Sequence, residues 1–386
     1  MHARARQAYK PLCYKPAPFQ GGASVQQGLS AAFKSAAHDW HRGAADKRYS
    51  LAIFMPLPSS PGRFAELGFT QLAPVSTLRS IAQLFGSSKL RCGIYLLEFP
   101  DRRFYIGQAV EVVRRFARHR KNYDEIVGFS FVPTQRAHLD QVERDLIRKA
   151  ELLGLVILNT VHASNVVGDT DLDMVVSPEE QTSWLSSPAK FNDGDTVSPI
   201  VLPVAQIERF AEQFRRFKAH RLFPPASHLL RTYLHHCVPA AKRTEYSFWV
   251  VSCLPSTNRD TWPRLLCVSA GVMELLVLGC HKAAPSEMWG FVTVASDVLS
   301  ESFLTNDALV AAFPSIEVVR REYRDAGQHQ VTLHANNARS MKEILEHKVV
   351  RRAAASLALR VMRKRATIYA KFHCKQLADF AIPRNG

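Results

Sequence analysis

With 386 residues and a net charge of +16, the chain is long enough for two or three domains and basic enough to attract polyanions, nucleic acid before anionic membranes. Its 7 cysteines form no C-x-x-C pair, which argues against a disulfide framework or zinc ribbon and favours a reducing, intracellular (cytoplasmic) location. Since no apolar stretch approaches the length of a membrane span and no signal-peptide core follows Met1, we expect no membrane partner.

The N-terminal residues 1–60 are basic and rich in proline and glycine, and residues 1–38 contain no acidic side chain. This composition predicts a flexible arm. A phosphate-contacting segment, an organelle transit peptide and a plain tail are all compatible with it. After the arm, Ser76 begins a predicted helix that Gly86 ends.

Residues 61–165 are predicted to form a small α+β domain. Alternating apolar residues and the turn signal Pro100-Asp101 predict a β-hairpin over 93–106. Helical periodicity predicts helices over 110–120 and 139–153, and a third strand lies between them at 128–132. The expected result is a three-stranded, mainly antiparallel sheet flanked by helices.

The remainder of the chain divides into two further parts. Residues 166–199 are acidic and rich in serine and glycine, which predicts a solvated linker, and residues 200–386 predict a second α+β domain. Ser340 and Glu343 have the spacing of a capping box, which predicts a long basic C-terminal helix. DNA binding, dimerisation or a purely structural role are all open for this second domain.

Five residues of the 61–165 domain are candidates for catalysis of phosphodiester cleavage, in which a water must be deprotonated and developing negative charge countered. Tyr95 and Tyr105 face each other across the hairpin. Arg115 and His119 are four apart and share one helical face, so the first can fork onto a phosphate and the second can position or deprotonate a water. Glu143 lies on an apolar helical stripe, where a carboxylate needs a metal or an arginine partner.

Two further sets of residues support this interpretation. Gly107 permits a close approach of the backbone to a ligand. Basic side chains on the first helix are candidates for DNA contacts, with a solvated basic face as the alternative: Arg114, Arg118, Arg120 and Lys121.

The candidate residues occur in a recognisable order. The sequence reads Gly93-Ile94-Tyr95, Tyr105-Ile106-Gly107, Arg115, His119, Glu143 and Asn159. This order closely resembles the GIY-YIG nuclease family over about 70 residues, while residues 200–386 resemble nothing that we recognise.

The resemblance implies a DNA endonuclease with one divalent metal ion, Mg²⁺ or Mn²⁺, held by Glu143. It also implies that Arg115 binds the scissile phosphate, that Tyr95 or Tyr105 helps to orient or deprotonate the water, and that Asn159 and the two motif glycines, Gly93 and Gly107, brace the site. His119 and Tyr95 compete for the role of general base, and the sequence leaves that choice open. Restriction or defence against phage would fit such a nuclease.

Other functions remain compatible with the sequence. A regulatory protein that binds nucleic acid without cleaving it, and a ribonuclease or toxin acting on RNA, would use the same fold. Because a small unit with one metal ion cuts one strand at a time, double-strand cleavage predicts a homodimer on double-stranded DNA.

Overall fold

Two β-sheets organise the chain, each flanked by helices. The computed structural model describes residues 65–69, 72–88, 90–123, 125–159, 161–166, 168–187, 202–320 and 323–382. All of these belong to one compact unit, Pro58–Gly386. The predicted N-terminal arm and residues 188–199 of the predicted linker lie outside the described residues.

The described strands and helices follow in chain order. The strands are β1 Ala73–Pro74, β2 Gly93–Glu98, β3 Arg103–Ala109, β4 Gly128–Pro133, β5 Val156–Ile157, β6 Trp249–Cys253, β7 Arg264–Ala270, β8 Met273–Cys280, β9 Met288–Val294, β10 Ile316–Val319 and β11 Val331–Ala335. The helices are α1 Val112–Asn122, α2 Leu139–Leu152, α3 Pro178–Ser186, α4 Val204–Lys218, α5 Phe223–Cys237, α6 Ala241–Thr244, α7 Ser296–Ser300, α8 Asn306–Ala312, α9 Ala338–Glu346, α10 Lys348–Lys364 and α11 Lys375–Ala381.

The first sheet has the strand order β1-β4-β2-β3-β5. Its centre consists of the three antiparallel strands that were predicted, β4, β2 and β3, but the sheet has five strands rather than three. The two outer strands have only two residues each, too few to show an alternating pattern in the sequence. The α+β class is thereby confirmed.

The two helices of this region cover opposite faces of the first sheet, because side chains alternate along a strand. Ile94 and Leu96 of β2 pack with Ile147 of α2. Tyr95 and Leu97 pack on the other face, with α1. Strand β5 pairs with β3 only at Arg103 and Phe104, so among the described strands none pairs with the later part of β3 on its edge away from β2.

The second sheet is antiparallel throughout, with the order β10-β11-β9-β8-β7-β6. Residues of β7, β8 and β9 that face one side join α5, α9 and α10 in the larger hydrophobic core. Helix α10 lies at the centre of this core, where Ala354, Leu357 and Val361 are fully buried. Within the described residues, no helix combines the length and apolar content needed to cross a bilayer.

Two predicted helices differ from the structure. The predicted helix over 76–86 is a single 3₁₀ turn, Ala82–Phe85. The long C-terminal helix is divided into α9 and α10 by the extended backbone of His347. Asn337, not Ser340, caps α9: its side chain accepts a 2.8 Å hydrogen bond from the Ser340 amide.

The basic side chains of α10 and the residues after it bind other parts of the chain. Arg360 forms a forked ion pair with Asp297, at 2.9 and 2.7 Å. Arg363 pairs at 2.9 Å with Asp173. These bonds favour a structural role for this helix, because a guanidinium held by a carboxylate is not available to a phosphate.

The segment predicted as a solvated linker is folded over its described part, 168–187. Ser177 and Glu180 form the capping box of α3. Leu172, Val176 and Trp184 are buried in the larger hydrophobic core, against the described residues of 202–382, which are called the second region below. The acidic composition suggested exposure, but Asp173 and Glu180 are matched by arginines at 363 and 243. The acidic residues therefore attach this segment to the fold.

Candidate functional site

A cleft of about 960 Å³ opens at the uncovered edge of β3, where α1 and α2 converge from opposite faces of the sheet. Its lining brings together side chains from both helices, from β3 and from the second region. The polar lining residues relevant here are Tyr105, Gln108, Arg115, Arg118, His119, Asp140, Glu143, Asn159, His162 and Arg324.

The hairpin of β2 and β3 places Tyr95 directly opposite Gly107. A Cβ atom at position 107 would lie 2.5 Å from the Tyr95 hydroxyl oxygen, so any side chain there would displace the phenol. Gly93 has a similar constraint, because a Cβ there would collide with the carbonyl oxygen of Val132 and the ring of Phe131. Both motif glycines thus make room for neighbouring strands and rings.

Helix α1 carries Arg115 and His119 on one face. The Glu111 side chain caps the helix by accepting a 3.3 Å hydrogen bond from the Val113 amide. Val112 and Phe116 are buried against the sheet and fix the rotation of the helix. Residues 115 and 119, one turn apart, are thereby directed at the rings of the hairpin.

Tyr95 connects these two side chains. Its hydroxyl lies 2.8 Å from Nε2 of His119 and accepts a hydrogen bond of 3.1 Å from Nε of Arg115. Because a guanidinium only donates, the Tyr95 hydroxyl accepts from Arg115, and the direction of its bond to Nε2 of His119 is set by the imidazole tautomer.

Burial shifts the protonation of both rings. Desolvation, then the charges of Arg115 and Arg118, lower the pKa of His119 to about 4, so the imidazole is neutral near pH 7. Desolvation and the neighbouring Tyr105 raise the pKa of Tyr95, against the hydrogen bond from Arg115. Tyr95 is 1% exposed, whereas Tyr105 is partly exposed and lines the cleft. Tyr105 and His119 therefore face the cleft, with Tyr95 behind them.

Glu143 on α2 is half-buried at the opposite wall of the cleft. The side-chain amide of Gln108 donates to Oε2 of Glu143 at 2.8 Å and to Oδ1 of Asp140 at 2.5 Å. Desolvation raises the pKa of Glu143 and the charge of Asp140 adds to the rise, while Gln108 and Arg115 oppose it. Among the described residues, no basic nitrogen lies within 4.0 Å of this carboxylate, so a buried ion pair does not account for it.

Asn159 extends the pairing of β3 beyond the end of β5. Its side chain accepts a 3.0 Å hydrogen bond from the Ile106 amide and donates at 2.6 Å to the Ile106 carbonyl. These two bonds imitate a strand partner at a buried position. Asn159 therefore braces the strand that carries Tyr105 and Gly107.

The donor set at Glu143 fits a divalent cation bound mainly through water and substrate. Two carboxylates share one amide donor here, and desolvation together with the charge of Asp140 raises the pKa of Glu143. Within the described residues, no group of three or more His, Cys, Asp or Glu side chains converges on one point. The arrangement suits Mg²⁺, which keeps several waters and uses few protein ligands.

The basic side chains predicted to contact DNA divide into two sets. Arg114, Arg118 and Lys121 are exposed, and Arg118 lines the cleft. Arg120 instead donates from Nη2 to the carbonyls of Val75 at 2.6 Å and Ile126 at 3.0 Å. Its prediction as a DNA contact is therefore corrected, since these bonds hold the guanidinium against the loop before β4.

Four of these polar lining residues were not found from the sequence: Gln108, Asp140, His162 and Arg324. Asp140 lies three residues before Glu143 on α2, and this helical spacing was a usable signal. Gln108 follows the second motif glycine directly. Arg324 belongs to the second region, and its guanidinium lies 3.8 Å from a carboxylate oxygen of Asp140.

Comparison with protein-family models, with curated proteins and with solved structures found no match to this chain. The functional argument therefore depends on the geometry of the cleft.

Proposed function

We propose that this protein is a metal-dependent endonuclease of the GIY-YIG type, which hydrolyses phosphodiester bonds of DNA. One observation carries the proposal: Arg115, His119, Tyr105 and Glu143, from three separate elements, line the same cleft. One wall carries a buried phenol, a guanidinium and an imidazole, and the other wall carries two carboxylates. The first wall can bind a phosphate, and the second can bind a metal ion.

Arg115 is the phosphate-binding residue of the proposal. Its Nε is held by Tyr95, and its terminal nitrogens can fork onto phosphate oxygens. The neighbouring exposed cation Arg118 continues this positive wall along the cleft. A polyanion is attracted to this wall, in keeping with the charge of +16.

Tyr105 and His119 position the attacking water, and His119 is the proposed proton acceptor. The imidazole lines the cleft and is neutral near pH 7, so it can accept a proton from a water there. Tyr95 is less suited to the role of base, because its burial and raised pKa keep the phenol protonated. Its part is to hold Arg115 and His119 in place.

Glu143 is the proposed metal ligand, with Asp140 beside it and Gln108 fixing both carboxylates. A bound Mg²⁺ or Mn²⁺ ion would neutralise the charge that develops on the phosphate oxygens. With one such site per chain, cleavage of both strands requires two chains on the duplex or successive binding events.

The test is cleavage of a supercoiled plasmid with Mg²⁺, with EDTA and with the variant Glu143→Ala. The proposal expects nicked or linear DNA only for the wild-type chain with the metal. Matched duplex DNA and structured RNA in parallel reactions identify the substrate. Cleavage that persists in EDTA and in Glu143→Ala would disprove the proposed site.

A further inference from the structure

A second cleft, of about 530 Å³, lies on the second sheet, away from the candidate nuclease site. It is formed by α4, the loop between β6 and β7, and residues around Tyr369. Ser252, Cys267 and Ser269 form its floor, on the sheet face opposite to the α10 core. Its volume falls within the range of about 300 to 1,000 Å³ that is usual for small-molecule sites.

Positive charge predominates at this second cleft. Arg209, Arg216 and Arg259 line it, and among the described residues no carboxylate oxygen lies within 4.0 Å of their guanidinium groups. Glu274 is the acidic residue of the lining, and both of its carboxylate oxygens are bound by Arg264. The mouth of the cleft therefore favours an anion, and a guanidinium is well suited to a phosphate.

Two buried polar atoms on the lining have no hydrogen-bond partner among the described residues. They are Oε1 of Gln213, an acceptor, and Nε of Arg264, a donor. Unsatisfied buried groups of this kind are uncommon and often belong to a ligand site. A ligand with both a donor and an acceptor would satisfy them.

Apolar surface completes the lining. Phe210 is buried in its wall, and the ring of Phe372 is 40% exposed at the rim. Leu254, also in the lining, has a φ of +43°, a conformation that is strained for a bulky side chain. Strain of this kind occurs where surrounding structure is shaped for binding.

We infer that this second cleft binds a nucleotide, with its phosphates at Arg209, Arg216 and Arg259 and its base against Phe372 and Gln213. Three features together select this class of ligand: guanidinium groups that no carboxylate of the described residues binds, an exposed aromatic ring, and an amide oxygen with no hydrogen-bond partner in the same part of the chain. The enclosed volume suits a mono- or dinucleotide and excludes a duplex. The site is independent of the proposed nuclease chemistry.

The test is isothermal titration calorimetry of the full chain, in EDTA, with ATP, GTP, CTP and UTP in turn. At least one nucleotide is expected to bind with 1:1 stoichiometry and a dissociation constant of about 100 μM or tighter. Inorganic phosphate and the matching nucleoside, tested alone, are expected to bind more weakly than the nucleotide, because each lacks half of the contacts.

Variants locate the site. Arg216→Ala should weaken nucleotide binding about tenfold or more, since it removes a charge-assisted contact. Arg215→Ala is the matched control. Arg215 is next to Arg216 in the chain, but its guanidinium is paired with Glu212 and it does not line the cleft. Arg115→Ala tests whether the nucleotide binds in the candidate nuclease cleft instead.

Three outcomes would overturn the inference. In the first, none of the four nucleotides binds at millimolar concentration. In the second, inorganic phosphate binds as tightly as the nucleotide. In the third, Arg115→Ala loses nucleotide binding and Arg216→Ala does not. Nucleotide binding that weakens in Arg216→Ala, but not in Arg215→Ala or Arg115→Ala, would support the inference.

Discussion

The hydroxyl of Tyr95 lies 2.8 Å from Nε2 of His119, although Tyr95 is 1% exposed and His119 lines an open cleft. The same hydroxyl accepts a hydrogen bond from Arg115. A core residue of the first sheet therefore fixes two residues of the candidate site. Replacing Tyr95 should therefore lower both the stability of the fold and the activity.

Replacing Tyr95 with Phe keeps the ring and removes the hydroxyl. We expect the free energy of unfolding to fall by about 1–2 kcal/mol, because Arg115 and His119 each lose a partly buried partner. DNA cleavage should fall by on the order of 10- to 100-fold, since both side chains lose their orientation. Urea denaturation and plasmid nicking measure these effects. Tyr123→Phe, at a ring that is 50% exposed, is the control and should change neither.

Replacing Glu143 with Gln separates stability from function. The pKa of Glu143 is raised in the folded chain, so folding disfavours the ionised carboxylate. Ionised Glu143 therefore destabilises the fold at pH 7, and this effect disappears below the pKa that Glu143 has in the unfolded chain. Glu143→Gln should therefore raise the urea midpoint at pH 7 while lowering cleavage by at least about a hundredfold. Glu125→Gln, on the rim of the same cleft, should leave both unchanged. A variant that is both less stable and active would contradict this account.

The lowered pKa of His119, about 4, makes its contribution to stability dependent on pH. The unfolded chain binds this proton near pH 6.5, while the folded chain does so only near pH 4. The contribution is therefore complete above about pH 6.5 and is lost as the pH falls towards 4. Urea denaturation at pH 7.0, 5.5 and 4.5 should show a flatter decline for His119→Gln than for the wild-type chain. An unchanged decline, or the same flattening in exposed His138→Gln, would contradict the assignment.

Arg324 brings a cation from the second region to the cleft of the candidate site. Arg324→Ala should weaken DNA binding several-fold and reduce the salt dependence of the affinity by about one phosphate contact. Fluorescence anisotropy with labelled duplex DNA at several salt concentrations measures both. Arg339→Ala is the control, because Arg339 pairs with Glu343 on the exposed face of α9 and does not line the cleft. Equal losses in both variants would indicate a general charge effect.

Short-range patterns in the sequence predicted much of the first sheet and its site. The hairpin, α1 and α2 follow from periodicity and turn residues, and the four-residue spacing of Arg115 and His119 placed them on one face. The register of the hairpin was not predicted: Tyr95 lies opposite Gly107 rather than Tyr105, and the two tyrosines are diagonal neighbours with ring centroids 6.2 Å apart.

Long-range contacts account for what the sequence did not predict. Arg324 reaches Asp140 across more than 180 positions, and no local pattern encodes that approach. Arg120 looked like its basic neighbours, but two backbone carbonyls determine its position. The acidic segment around Asp173 lacked apolar periodicity, yet Arg363 of α10 neutralises it.

A double-mutant cycle on DNA cleavage tests the central claim most directly. Arg115→Ala and Glu143→Gln, alone and together, are measured against the wild-type chain under single-turnover conditions with Mg²⁺. If the two side chains act on one phosphate in one cleft, each change alone removes nearly all activity and the double variant loses little more. Losses that simply multiply, or cleavage unaffected by either change, would contradict the account.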